Sequence, residues 1–185
     1  MQVSHGPLTG SILDEPNMIH IREGRIDEAE AIRAVEKSAG ERFRSVGMDD
    51  ISDAEVTPAA ALVDRAENRR LFVAVDGDAI CGFAIFSEVD GYCYLEEVSV
   101  ASTHGGRGIG HALIARVEEA GRDLGLGWIT LSTFRNVPWN APYYARLGFV
   151  EWPHKELPPG HLERHAKQER DGLDMSRRIF MRKRL

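Results

Sequence analysis

An α/β or α+β fold built on one mixed sheet is predicted by three features of this 185-residue chain. Runs rich in β-branched and aromatic residues at 71–75, 79–89, 93–100 and 128–134 read as strands. Apolar residues recur at helical spacing in Ile109, Leu113, Ile114 and Val117, which places a stripe on one helix face. The two kinds of segment alternate along the chain, with no internal repeat or low-complexity tract, as expected of elements packed around a single sheet.

In chain order, residues 1–17 mix Gly, Pro, Ser and polar residues without periodicity and read as a flexible leader, leaving 18–185 as one domain. Ile19 and Ile21 alternate with polar neighbours as a first strand would. Asp27 opens a helical stretch carrying Ile32, Val35 and Phe43, and Asp27 with Glu30 has the form of a capping box. Residues 44–57 read as polar and irregular, and Thr57-Pro58 opens a second helix with proline in its first turn.

The strands 71–75 and 79–89 are joined through Asp76-Gly77-Asp78, a hairpin signal. A strand over Cys93–Val100 follows, then a glycine-rich turn and a helix to about Leu124. Trp128–Phe134 is a strand, and Trp139–Leu147 a helix ended by Gly148. Phe149–Trp152 starts another strand, 160–170 is helical, Asp171-Gly172 breaks it, and Ile179–Met181 closes the fold.

The segment Val100-Ala-Ser-Thr-His-Gly-Gly-Arg-Gly-Ile-Gly-His111 carries the chemistry. Gly105, Gly106, Gly108 and Gly110 leave bare backbone where a helix begins, and a helix start offers unpaired N–H groups and partial positive charge to a phosphate. A Walker loop is excluded because no lysine lies between Lys37 and Lys155. The dinucleotide fingerprint G-x-G-x-x-G is excluded too, since its third glycine would fall on His111 or Leu113.

What remains is Arg/Gln-x-x-Gly-x-Gly/Ala with Gly108 and Gly110 in the glycine places, which resembles the pyrophosphate loop of the GNAT N-acetyltransferases. Leu95-Glu-Glu-Val-Ser-Val100 resembles the strand before that loop. Asn140-Ala-Pro-Tyr-Tyr-Ala-Arg-Leu-Gly-Phe149 resembles the family's downstream signature, and Met18–Arg22 its first strand. The resemblance covers about residues 18–152. The usual Arg/Gln place is Gly105, so Arg107 and His104 are the candidates to do its work.

The resemblance implies a GNAT-like fold, a central, mostly antiparallel twisted sheet flanked by helices. It also implies transfer of an acetyl group from acetyl-CoA, as cosubstrate, to an amine. In that scheme the loop Gly105, Gly106, Arg107, Gly108, Ile109, Gly110 and His111 holds the pyrophosphate. Val98 and Val100 offer main-chain groups to the acetyl and pantetheine amides, and Asn140 can bond the pantetheine arm. Tyr144 is the candidate acid for the leaving thiolate, with Tyr143 beside it packing. Glu36, Arg42 and Phe43 lie where the family's first helix and its loop border the acceptor cleft, and the segment His154–Arg178 can cap it. Dimers are common in that family, so a homodimer is among the assemblies the resemblance allows.

An ammonium is no nucleophile, so a base is required. Glu96 and Glu97 are the candidates, and strand alternation sends them to opposite faces. Glu96, sharing a face with Tyr94, Val98 and Val100, is preferred narrowly. The competing class is a catalytically silent acyl-CoA-binding module. It would be expected to lack Tyr144 or both glutamates, and all three are present.

Composition narrows the partners further. A net charge of −6 disfavours nucleic acid, which needs a basic face. Nothing near the N-terminus is apolar for long enough to be a signal or a span, so neither membrane nor export is expected and the cytoplasm is. Cys81 and Cys93 lack metal-ligand spacing and read as reduced core thiols. His161 and His165 stand at i and i+4, but without a third ligand they read as surface histidines and no metal is expected.

Overall fold

The computed structural model describes residues 19–185, so the proposed leader 1–17 and Met18 lie outside the described residues. Seven strands form one sheet: β1 (His20–Glu23), β2 (Leu71–Asp76), β3 (Ala79–Val89), β4 (Tyr92–Val100), β5 (Trp128–Phe134), β6 (Val150–Trp152) and β7 (Arg178–Arg184). Their spatial order is β1-β2-β3-β4-β5-β7-β6. Every neighbouring pair is antiparallel except β4–β5, which is parallel. The mixed, mostly antiparallel sheet flanked by helices is the expected architecture. Among the described residues no helix is long and apolar enough to cross a membrane.

Helix α1 (Ala29–Gly40) presents Ile32 and Val35, and α3 (Ala59–Glu67) presents Leu62, to one face of the sheet. There they meet Leu71, Val73, Val75, Phe83 and Ile85. On the other face α4 (Ile109–Asp123) sets Ile109, Leu113, Ile114 and Val117 against Phe72, Phe86, Cys93 and Leu95. This is the stripe read from the sequence, and its burial is the main favourable term holding α4 in place. Cys81 and Cys93 are buried and unpaired. Helix α5 (Ala141–Arg146) joins the α4 face through Ala141 and Tyr144. Helix α6 (Pro159–Arg170) lies over a smaller cluster of Val89, Tyr94, Trp152, Leu157 and Phe180.

Local expectations fail in three places. The segment 44–57 is not irregular throughout: a 3₁₀ turn over Glu41–Val46 leads into a short helix, α2 (Asp49–Ser52). The expected Asp27–Glu30 box is replaced by Glu28, which accepts from the Arg25 backbone N–H at 2.8 Å and pairs with Arg22 at 2.6 Å. His161 is not a surface residue but 0 % exposed. Its Nδ1 lies 2.7 Å from Asp90 and its Nε2 2.9 Å from Thr130 Oγ1. Asp90 also accepts from the Gly160 and His161 backbone N–H groups, pinning the start of α6. Gly160 is required there, since a Cβ would stand 2.8 Å from the Asp90 carboxylate oxygens.

Candidate active site

The site forms where β4 and β5 part. Their parallel ladder holds only Cys93–Ile129 and Tyr94–Thr130, while β4 runs on to Val100 and β5 to Phe134. From Leu95 onward the β4 edge facing β5 has no ladder partner, so its N–H and C=O groups are free to receive an extended ligand. Val98 and Val100 lie on this unpaired stretch.

At the far end of β4 the glycine turn enters α4. Gly106 and Gly108 take left-handed backbone at φ 76° and 78°, and a Cβ on either would meet nothing within 4 Å. Gly108 is the N-cap of α4, with no side chain capping its first N–H groups. Ile109 anchors the turn in the core, Gly105 and Gly110 add no bulk, and His111 is exposed in the first helical turn. Arg107 and His104, the candidates to replace the missing Arg/Gln, are both held by Asp76 of the β2–β3 hairpin, at 3.1 and 3.3 Å.

Strand alternation does not survive at Glu96 and Glu97. The register runs Ile85–Glu97 and then Phe86–Leu95, so Glu96 is an extra residue and β4 is bulged there. As a result Leu95 and Val98, three apart, both pack on the α4 face. Glu96 and Glu97 both turn to the α1/α3 side, and Glu96 does not share a face with Val98 and Val100. Glu96 accepts from Arg65 Nη2 through both oxygens, at 3.0 and 3.2 Å, and lies 3.7 Å from Arg164.

Glu97 has no ion-pair partner among the described residues; it accepts from Ser99 Oγ at 2.7 Å. Burial, then the nearby charge of Glu36, pushes its carboxyl up to about 7, opposed by the Ser99 bond, Arg178 and Arg42. Tyr144 is buried on the α4 face. Its hydroxyl is pushed well above the ordinary phenol value by burial and then by the charge of Glu97. Glu97, on the α1/α3 side, and Tyr144, on the α4 side, are thus close enough for the charge of one to act on the other.

Glu36 is also pushed up by burial, and it accepts from the Thr57 backbone N–H and Oγ1 at 3.0 and 3.1 Å. The Arg42 guanidinium lies 4.6 Å from the Trp139 ring, and Phe43 packs edge-on against Phe134 and Trp139, each at 5.7 Å. Asn140 donates to Thr133 Oγ1 at 2.8 Å, while its Oδ1 is buried without a partner. Glu36 and Arg42 are near enough for their charges to act on Glu97, and Phe43 packs on the Trp139 ring that Arg42 covers. Two cavities, of about 530 Å³ beside α1 and the hairpin and about 280 Å³ beside β6, contain neither Glu97 nor Tyr144.

The sequence reading missed Arg178. It sits at the start of β7, where Nη2 donates to the Ser132 carbonyl at 2.9 Å and Nε to Ser132 Oγ at 3.3 Å. Its charge is felt by both Glu97 and Tyr144. No local pattern marks it, because β7 reaches the site only by inserting between β5 and β6.

A glycine-capped helix thus stands at the end of a strand that parts from its parallel neighbour, with bare helix N–H groups beside an unpaired strand edge. The chain belongs to the acetyltransferase (GNAT) family, whose model matches residues 31–149. Among solved structures it is similar to the PaiA N-acetyltransferase of Thermoplasma acidophilum in complex with coenzyme A. The two are 14% identical, with a TM-score of 0.66, over 91% of this chain and 99% of that one. It is similar to a GNAT-family acetyltransferase of Staphylococcus aureus Mu50, at 18% identity and a TM-score of 0.68, over 91% and 99%. The ribosomal-protein-S18-alanine N-acetyltransferase of Escherichia coli is also similar, at 19% identity and a TM-score of 0.61, over 90% and 94%. At these identities the likeness shows a shared fold.

Proposed function

We propose that this chain, as a single domain in the cytoplasm, transfers an acetyl group from acetyl-CoA to an amine, with Glu97 as general base and Tyr144 as general acid. The observation that carries the reading is the β4 edge left unpaired from Leu95 to Val100, on which Glu97 lies at about 7 with its charge reaching the buried Tyr144 hydroxyl. Acetyl-CoA supplies the activated acyl carbon as a thioester. Three features fit it: the bare, left-handed Gly108 turn for the pyrophosphate, the unpaired β4 edge for the amide-bearing arm, and the unpartnered Asn140 Oδ1.

Glu97 takes the proton from the acceptor ammonium, directly or through one water, and a carboxyl near neutrality suits that task. The freed nitrogen lone pair forms the new C–N bond as the C–S bond breaks. Tyr144 keeps its proton at every physiological pH and donates it toward the departing sulfur, and the second proton shed by the newly acylated nitrogen restores the phenol through solvent. Glu96, with both oxygens already bonded to Arg65, is better suited to holding α3 against β4 than to taking a proton.

Incubation with acetyl-CoA and a panel of amines should release free CoA thiol and yield an acetylated amine by mass spectrometry. Gly108→Asp should weaken CoA binding by calorimetry far more than Gly108→Asn, which has the same shape and backbone tolerance without the charge. Equal CoA affinity in both variants and wild type would remove the pyrophosphate from this turn.

A further inference from the structure

Two guanidinium groups in this cleft have no carboxylate to answer them. Most arginines of the fold do: Arg65 and Arg164 meet Glu96, Arg22 meets Glu28, and Arg135 meets Glu151. Arg42 and Arg178 form no ion pair among the described residues, although both lie within reach of Glu97 and Tyr144. Burial works against the charge of Arg178, and an arginine cannot escape that cost by losing its proton, while Arg42 is exposed.

The two are joined by one continuous aromatic wall. Arg42 lies over Trp139, Trp139 meets Phe43, Phe43 meets Phe134, and the Arg178 guanidinium carbon lies 4.6 Å from the Phe134 ring. Arg178 is also held in place. Nε and Nη2 are bound to Ser132, Ser132 donates to Gln168, and Gln168 donates to Tyr94 Oη at 3.3 Å. That leaves Nη1 without a hydrogen-bond partner among the described residues, and Arg178 also lines the cavity of about 280 Å³ beside β6.

We infer that the acceptor amine carries a carboxylate, as a free α-amino acid does, bound between Arg42 and Arg178 with its nitrogen toward Glu97. This rests on the acetyl-transfer reading above. The charges on offer then complement a zwitterion, carboxylates Glu97 and Glu36 for its ammonium and two guanidinium groups for its carboxylate. A carboxylate fits better than a phosphate, whose second negative charge would stand beside Glu97 and Glu36. The wall of Phe43, Phe134 and Trp139 favours an apolar side chain on that amino acid.

The test compares the proteinogenic α-amino acids with their carboxamides, which keep shape and amine but lose the charge. Binding to the CoA-loaded enzyme is read by calorimetry, and kcat/KM by CoA release with acetyl-CoA. At least one acid, apolar in its side chain, should exceed its amide by about ten- to hundredfold, the effect of a charge-assisted hydrogen bond in a partly dry site. That ratio should collapse toward one in Arg42→Met, and in Arg178→Lys, which retains charge but not the fork. Melting curves would show that both variants are folded. Amides matching acids throughout, no binding by any acid, aminophosphonates outperforming acids, or a preference that survives both substitutions would each overturn the inference. Acid-over-amide preference in binding with no CoA release would instead uphold the arginines and overturn the roles of Glu97 and Tyr144.

Discussion

The pocket around Glu97 and the cluster around His161 are built from similar groups, yet one is open and the other closed. Asp90, His161 and Thr130 form a carboxylate–imidazole–hydroxyl chain of the kind that activates nucleophiles. Here the rings of Tyr92, Tyr94, Trp152 and Phe180 surround the imidazole at 5.0–6.0 Å. Both ring nitrogens are used, Asp90 is shared with two backbone N–H groups, and Thr130 is 0 % exposed. A network saturated in this way rigidifies and fixes α6. Around Glu97, by contrast, the Tyr144 hydroxyl, Arg42 and Arg178 Nη1 have no committed carboxylate or backbone partner among the described residues. Unspent hydrogen-bonding capacity, rather than the types of residue present, separates the site from the pin.

The largest effect expected from this contrast is on turnover. Tyr144→Phe should lower kcat by about 10²–10⁴-fold with CoA affinity nearly unchanged, since only the hydroxyl is removed. Full turnover in the folded variant would leave the thiolate to another donor.

Stability should move in opposite directions at the two places. Glu97 has its folded pKa raised above 4.5, so its ionisation weakens the fold as pH climbs from there through about 7. Glu97→Gln should therefore raise the melting midpoint at neutral pH while losing activity. His161 is held below 6.5 by burial, against the pull of Asp90. Its share of stability is complete above 6.5 and lost as pH falls below it. Burial alone would raise Asp90, but the bonds from His161 and the Gly160 and His161 N–H groups bring it below 3.8, so its share is lost at still lower pH. Asp90→Asn, which tolerates the φ of 53° found there, should cost about 1–3 kcal/mol and leave the chemistry of the folded enzyme intact. If both variants shifted the midpoint the same way, the open-versus-closed distinction would fail.

Much of this was legible in the chain itself, for physical reasons that also mark its limits. The α4 stripe, the β2–β3 hairpin and the Gly108 turn are written in local periodicity and backbone freedom, and their positions follow from sequence. Tyr144 stands in a stretch that resembles the family's downstream signature, and its role belongs to the proposal. Period-two alternation cannot see a bulge, so one extra residue at Glu96 puts Glu96 and Glu97 on the same side and takes Glu96 off the face of Val98 and Val100 that had favoured it. Arg65, Arg164 and Arg178 reach the site from α3, α6 and β7, partners that only the tertiary fold brings together. His161 looked like half of a surface pair because its polar partners, Asp90 and Thr130, are distant in sequence.

The smallest intervention is also the most direct test: kcat/KM against pH for wild type, Glu96→Gln and Glu97→Gln, with one amine. The wild type and Glu96→Gln should both rise through an apparent pKa near 7, with Glu96→Gln close to wild type in activity. Glu97→Gln should lose that limb and about 10²–10⁴-fold of its rate. A limb near 7 that persists in Glu97→Gln but vanishes in Glu96→Gln would contradict the account, because the ion-paired carboxylate would then be the base.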